Sequence, residues 1–260
     1  MAAVQGGRPT LLQALIGNQV AFLLPALAWA RLSGYRSLQI LRLSRPSRTS
    51  LLLGVAVGVV CLLAGSGLNG LWRGLLPSSL LDRFDTGREL ASQGWGLWRS
   101  LALVALLPAV CEEVAFRGAL LPSLLRRPSP LRAIALSAII FAAAHFDPVR
   151  FPAVLLVGLA LGWLAWRTGS TWPGVVAHAL NNGAAVLVTA LGDPSELTAA
   201  DPTETLAPLV AAALLAGGLG LWAGIDAGAR RWLPPAPDAA TFLVGRGPSI
   251  VAGPADRSRR

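Results

Sequence analysis

Long apolar runs separated by short polar gaps dominate this chain of 260 residues. A helix needs about 20 apolar residues to cross about 30 Å of hydrocarbon. The runs that reach or approach this length predict an all-α fold, a polytopic transmembrane bundle with about seven spans. They are Leu11–Leu32, Ser50–Leu68, Leu97–Leu125, Leu131–Phe146, Phe151–Trp166, Trp172–Leu191 and Leu206–Ile225.

Composition supports a membrane protein and argues against a soluble one. Hydrophobic residues make up 54% of the chain and charged residues only 13%, against about 25% charged residues in a typical soluble domain. The 22 basic residues are all arginine and give a net charge of +9. Because these arginines lie in the gaps between apolar runs, they indicate membrane orientation rather than nucleic-acid binding.

Arginine counts in alternate gaps predict the orientation. Eleven arginines fall on one side and six on the other before the tail is counted. The richer side is expected to be cytoplasmic, which places the C-terminus inside. The lysine-free composition points to a bacterial protein and hence to the bacterial cytoplasmic membrane.

The chain divides into four predicted regions. Residues 1–96 hold two spans and an interfacial amphipathic helix or long loop at 69–96, and residues 97–191 hold the polar groups at membrane depth. Residues 192–229 contain the last span, and residues 230–260 are expected to form a disordered cytoplasmic tail rich in Pro, Gly, Ala and Arg.

A few ionisable side chains lie inside apolar runs, where each costs at least about 2.5–3.5 kcal/mol and is therefore a candidate for function. Both histidines of the chain are among them. These polar groups occur in three clusters. They are Glu112, Glu113 and Arg117 in the third run, His145 in the fourth, and His178 with Asn181 and Asn182 in the sixth.

Helical spacing pairs the groups within each cluster. Glu113 and Arg117 are four residues apart and share a helix face, whereas Glu112 points about 100° away from Glu113. Phe141 and His145 share a face in the same way. In the sixth run, His178 and Asn182 project together.

Two kinds of hydrolytic site fit these groups. In the first, Glu112 acts as the general base toward a water that His145 holds, and His178 and Asn182 stabilise an oxyanion. In the second, Glu112, His145 and His178 bind a divalent metal, with zinc the best match. A proton-coupled transporter or a non-enzymatic immunity or scaffold protein could also use a buried Glu/His cluster.

The three clusters together resemble the motifs of the CPBP family, the CAAX proteases and bacteriocin-processing enzymes, which are intramembrane proteases. The family motifs EExxxR, FxxxH and HxxxN correspond to Glu112–Arg117, Phe141–His145 and His178–Asn182. A glycine-containing segment between the second and third motifs, 158–170, also resembles the family. The resemblance covers roughly 97–191.

This resemblance implies cleavage of peptide bonds in or beside the membrane, with a membrane-associated peptide or protein as substrate. Family members that process prenylated proteins open to the cytosol and remove three residues after a lipidated cysteine. By this analogy Glu112 and His145 activate water, and His178 and Asn182 form the oxyanion hole. Glu113 and Arg117 support the first motif. The resemblance allows two mechanisms. In one, a glutamate activates water without a cofactor, and in the other the enzyme uses a bound zinc ion.

Overall fold

The computed structural model describes residues 10–33, 37–43, 45–84, 89–90, 92–125, 129–191 and 207–232. Within these ranges the chain is helical and contains no strand, which confirms the predicted all-α class. The principal helices are α1 Leu11–Leu32, α2 Ser37–Ile40, α3 Arg48–Arg73, α4 Ser78–Arg83, α5 from Leu97 to Leu124, α6 Pro130–Ala143, α7 Phe151–Thr168, α8 Trp172–Leu191 and α9 Ala207–Trp232.

Each of the seven predicted runs corresponds to one helix, of which α6 is the shortest at 14 residues. Among the described residues, three helices are long and apolar enough to cross a membrane by themselves, namely α1, α3 and α7. The total of seven spans therefore stays a prediction. Residues 192–206, which precede the last helix, and most of the predicted tail, 233–260, lie outside the described residues.

Several boundaries differ from the sequence prediction. Helix α9 continues to Trp232, past the predicted end at Ile225 and into the region predicted as a tail. Helix α3 continues to Arg73, and the short α4 follows it, so the region predicted as interfacial begins within a long helix. Helix α6 ends at Ala143, so His145 lies in the turn after the helix rather than inside it. In this turn the backbone N–H of His145 donates to the carbonyl of Ala142 at 3.2 Å, a tighter turn than that of the α-helix.

Local sequence determines where the helices begin and end. The hydroxyl of Ser47 accepts the backbone N–H of Ser50 at the start of α3, and Ser129 caps α6 in the same way. Helix α7 ends at Gly169, whose φ of 69° is a left-handed conformation that glycine adopts without strain. This glycine turns the chain directly from α7 into α8.

Helix α3 forms the centre of the packing against α7, α8 and α9. Its Gly54 and Gly58 face α8. A Cβ added at Gly54 would lie 2.5 Å from the carbonyl oxygen of Pro173, and a Cβ added at Gly58 would lie 3.2 Å from the Cα of Ala177. Small residues four apart allow this close approach of two helices in a membrane, where packing rather than the hydrophobic effect holds helices together.

The segment after α2 is anchored to the start of α8. Thr171 donates its backbone N–H to the carbonyl of Arg42 at 3.1 Å and its hydroxyl to the carbonyl of Leu41 at 2.9 Å. Arg42 itself has a φ of 59° and is buried, and burial lowers the pKa of its guanidinium to about 10. These bonds fix the N-terminal end of α8, and His178 follows within the first two turns of that helix.

Candidate active site

Helix α5 carries the two carboxylates in a short α-helical stretch between two π-helical ones. The π-helical stretches are Leu101–Leu106 and Val114–Leu120, and Leu107–Glu113 lies between them. A π-helical turn inserts an extra residue and rotates the side chains that follow, and such turns are frequent at functional sites. Glu112 and Glu113 are both buried.

Glu113 and Arg117 form the ion pair that their spacing predicts. The guanidinium donates to Oε1 of Glu113 at 2.9 Å and to the backbone carbonyl of Gly158 on α7 at 3.0 Å. It also lies 4.4 Å from the ring centroid of Phe141. Both charges are fully buried, so each depends on its partner for compensation of the lost hydration.

His178 shares the same carboxylate. Its Nδ1 lies 3.1 Å from Oε1 of Glu113, and an ionised carboxylate only accepts hydrogen bonds, so Nδ1 carries a proton. The other ring nitrogen, Nε2, lies 4.0 Å from Oε2 of Glu112. Glu113 thus orients an imidazole toward its neighbour Glu112.

His145 approaches Glu112 from the turn after α6. Its Nδ1 lies 2.8 Å from the carbonyl oxygen of Phe141, and since a carbonyl only accepts, Nδ1 is again the protonated nitrogen. Its Nε2 lies 3.8 Å from Oε2 of Glu112. The side chain of His145 is 24% exposed, while that of His178 is 4% exposed.

The two oxygens of Glu112 have different surroundings. Oε1 accepts a hydrogen bond from Nε2 of Gln19 on α1 at 3.3 Å. Oε2 is buried and, within the part of the chain that the structure describes, has no hydrogen-bond partner. A buried acceptor without a partner is costly, so this oxygen is a position where a water molecule can donate a hydrogen bond.

The separations around Oε2 of Glu112 suit a water molecule. At 3.8 and 4.0 Å, the two imidazole nitrogens are too far from this oxygen for direct hydrogen bonds. Two hydrogen bonds of about 2.8 Å that meet at about 90° on one water span about 4 Å. The arrangement can therefore hold a water between a carboxylate and an imidazole.

Phe141 and Asn182 complete the set of predicted site residues. Phe141 is buried, and its ring packs edge-on against His145 and His178, with centroids 4.8 and 5.8 Å apart. The half-buried Asn182 donates its amide to the carbonyl of Val104 at 3.4 Å, in the first π-helical stretch. No described contact joins Asn182 to Glu112. The half-buried Asn181 has no described bond to the site.

The donor atoms are of the type that zinc prefers, but their placement does not fit a bound ion. Two ligand atoms on one zinc lie about 3.3 Å apart, given bond lengths of about 2.0 Å. Nε2 of each imidazole lies further than this from Oε2 of Glu112. The described residues contain no group of three His, Cys, Asp or Glu side chains that could hold a metal ion.

Two residues that the sequence analysis did not identify contribute to the site. Gln19 is a buried amide inside the first apolar run, and such a polar group at membrane depth was a usable signal. Gly174 lets α8 approach α5, because a Cβ on it would lie 2.7 Å from Oε2 of Glu113. A lone glycine in an apolar helix gives no comparable signal.

An apolar cavity lies beside the site, between α1 and α5. Its volume is about 330 Å³, and its lining includes Phe22, Pro25 and Trp29 from α1 with Phe116 and Leu120 from α5. Phe22 and Phe116 pack edge-on with centroids 5.3 Å apart. Phe116 in turn packs against Phe141, so one chain of aromatic rings joins the cavity to the imidazoles.

Comparison with known proteins agrees with this geometry. Residues 93–184 match the family described as Rce1-like, type II CAAX prenyl endopeptidase Rce1-like. No curated protein and no solved structure gives a significant match. The matched segment is about a third of the chain and contains all three motifs, and over it the family resemblance predicted from those motifs is confirmed. The match supports a membrane protease.

Proposed function

We propose that this protein is an intramembrane endopeptidase in which Glu112 activates a water molecule. The observation that carries the proposal is the environment of Oε2 of Glu112. This oxygen is buried, has no hydrogen-bond partner among the described residues, and faces Nε2 of two imidazoles at 3.8 and 4.0 Å. A general base next to a held water is the arrangement that peptide hydrolysis requires.

The reaction begins when the held water attacks the carbonyl carbon of the scissile peptide bond. Glu112 takes one proton of the water as the C–O bond forms, and the π electrons of the carbonyl move to its oxygen. The resulting intermediate collapses, the C–N bond breaks, and Glu112 returns the proton to the departing amine. His145 accepts a hydrogen bond from the other O–H of the water through Nε2, the nitrogen left unprotonated in its neutral form, and this O–H bond is not broken.

His178 and Asn182 stabilise the negative oxygen of the intermediate. Nε2 of His178 lies 4.0 Å from Oε2 of Glu112 and donates to the negative oxygen when it carries a hydrogen. The amide of Asn182 has two N–H groups, and its bond to Val104 is long and occupies only one of them.

We propose a glutamate mechanism without a cofactor, because the separations around Glu112 fit water better than zinc. The substrate is a membrane-associated peptide or protein. Its apolar part fits the cavity between α1 and α5, whose lining is almost wholly apolar. We place the enzyme in the bacterial cytoplasmic membrane with its C-terminus inside, from the arginine count.

A proton-coupled transporter is the main competing function. A transport path needs polar groups at successive depths across the bilayer, and a transporter built on this cluster would not cleave a peptide. An immunity or scaffold protein would keep its function when Glu112 is replaced. Peptide cleavage separates the protease from the transporter, and the Glu112 substitution separates it from the immunity or scaffold protein.

The decisive experiment is cleavage by protein reconstituted into liposomes. Two probes are used, a farnesylated peptide with a CAAX end and a transmembrane peptide without lipid, each carrying a fluorophore and a quencher. Glu112→Gln is expected to lower kcat by about 10²–10⁴-fold because the amide cannot accept the proton. The matched control is Glu89→Gln, which makes the same change at an exposed position. Equal cleavage by the wild type and Glu112→Gln contradicts the proposal.

A further inference from the structure

We infer that Gln19 of α1 is a positioning residue that holds the Glu112 carboxylate in its working orientation. This inference rests on the proposed function, since it names what orients the proposed general base. Gln19 lies outside the segment that matches the protease family. Its amide nevertheless contacts the carboxylate directly, across 93 residues of sequence.

The geometry assigns Gln19 to one oxygen of Glu112. Nε2 of Gln19 donates to Oε1 at 3.3 Å, and both residues are 4% exposed. A carboxylate whose Oε1 is bound can turn about its last bond only by breaking that hydrogen bond. Oε2 therefore stays directed at Nε2 of His145 and His178.

No other described donor performs this role for Glu112. The only hydrogen bond described to its carboxylate is the one from Gln19, whereas Glu113 receives bonds from both Arg117 and His178. The partners of Glu113 therefore lie within the matched segment, residues 93–184, whereas the partner of Glu112 lies outside it on α1. Loss of Gln19 leaves Glu112 free to rotate away from the water position.

The neighbouring Asn18 provides a matched control for Gln19. Asn18 precedes Gln19 on the same helix but is exposed and has no described contact with the site. Gln19→Met removes the amide donor while keeping a side chain of similar length. Asn18→Leu removes an amide of the same chemistry from the same helix turn without affecting Glu112.

The first test measures kcat and KM on whichever of the two peptides the wild type cleaves. Gln19→Met is expected to lower kcat by about 10- to 100-fold, because a misplaced catalytic group loses rate in that range, and to leave KM within twofold. Asn18→Leu is expected to keep both constants. A Gln19→Met enzyme with wild-type kcat overturns the inference and leaves the proposed function intact.

A second test does not depend on cleavage. The carboxylate stretching band of Glu112 is identified by infrared difference between the wild type and Glu112→Gln. Gln19→Met is expected to shift this band, because the carboxylate loses a hydrogen bond, and Asn18→Leu is expected to leave it in place. An unshifted band in Gln19→Met overturns the inference, whether or not either peptide is cleaved.

Discussion

The space between the carboxylate of Glu113 and the backbone of α8 at Gly174 is too small for even a methyl group. A Cβ at Gly174 would lie 2.7 Å from Oε2 of Glu113, closer than van der Waals contact allows. Glu113 cannot yield freely, since its other oxygen binds both Arg117 and His178. The small residue at position 174 is therefore part of how the ion pair and the imidazole are assembled.

Gly174→Ala is expected to lower the free energy of unfolding by about 1–3 kcal/mol, as overpacking of a filled interior does. It should also reduce peptide cleavage, because the displaced Glu113 no longer orients His178. Thermal unfolding in detergent and the liposome assay measure the two effects. Gly183→Ala on the same helix is the control, since its Cβ meets nothing closer than 3.8 Å. Equal stability of the two variants would refute the role of Gly174.

Packing between α3 and α8 determines where His178 lies. Gly54 and Gly58 are four residues apart on α3, and both face the first turns of α8. Because lipid tails are as apolar as the helices, this contact depends on close fit and not on burial of apolar surface. A side chain at either position would push α8 away from the carboxylates.

Gly54→Ala is expected to destabilise the fold by at least about 1 kcal/mol, since its Cβ would lie 2.5 Å from the carbonyl oxygen of Pro173, a backbone atom. The control, Gly17→Ala on α1, meets nothing within 4 Å and is expected to be neutral or slightly stabilising. Melting temperatures of both variants in one detergent test this. A Gly54→Ala protein as stable as the wild type would contradict the packing argument.

Sequence predicted the helices better than it predicted their ends. The apolar runs gave α1 and α8 to the residue, because a helix in lipid must be continuous and apolar. They did not show that α6 stops at Ala143, because the apolar composition continues through the turn that carries His145. The π-helical stretches of α5 left no signal, since they change the backbone bonding and not the residue pattern.

Within the site, sequence identified groups that lie four apart on one helix. The pair of Glu113 and Arg117 follows from helical spacing alone. The meeting of Glu112 with His145 and His178 depends on how three helices cross, and no single-helix pattern contains that information. Gln19 lies on a fourth helix that has no recognisable motif, so its contact with Glu112 could be found only from the three-dimensional structure.

His145 lies near the end of the bundle where α3 finishes. Among the site residues that contact Glu112, His145 has the largest exposure. It adjoins Phe146, which is 87% exposed and has a φ of 50°, a left-handed conformation that is strained for an aromatic residue. Trp72 near the end of α3 donates to the carbonyl of Pro148 in the same turn. Arg45 lies just before α3 starts, at the opposite end.

Cysteines at these two ends should react from opposite sides of the membrane. We expect a membrane-impermeant maleimide to label Arg45→Cys from the cytoplasmic side, as the arginine count predicts, and Phe146→Cys from the other side. Cys61 and Cys111 are buried and provide little background. Labelling of Phe146→Cys from the cytoplasm would reverse the orientation and agree with the cytosolic opening that the family resemblance implies. Labelling of both from one side would contradict a membrane-crossing α3.

The hydrogen bond from Gln19 of α1 to Glu112 limits how the active site can be transferred to another protein. A chimera built from residues 93–184 on a foreign membrane scaffold would retain both glutamates, the arginine and both imidazoles. It would lack the amide that Gln19 donates, and an oxygen of Glu112 would then face hydrocarbon. We expect such a chimera to cleave peptides at the full rate only when the host helix that replaces α1 places an amide side chain within hydrogen-bond distance of Glu112.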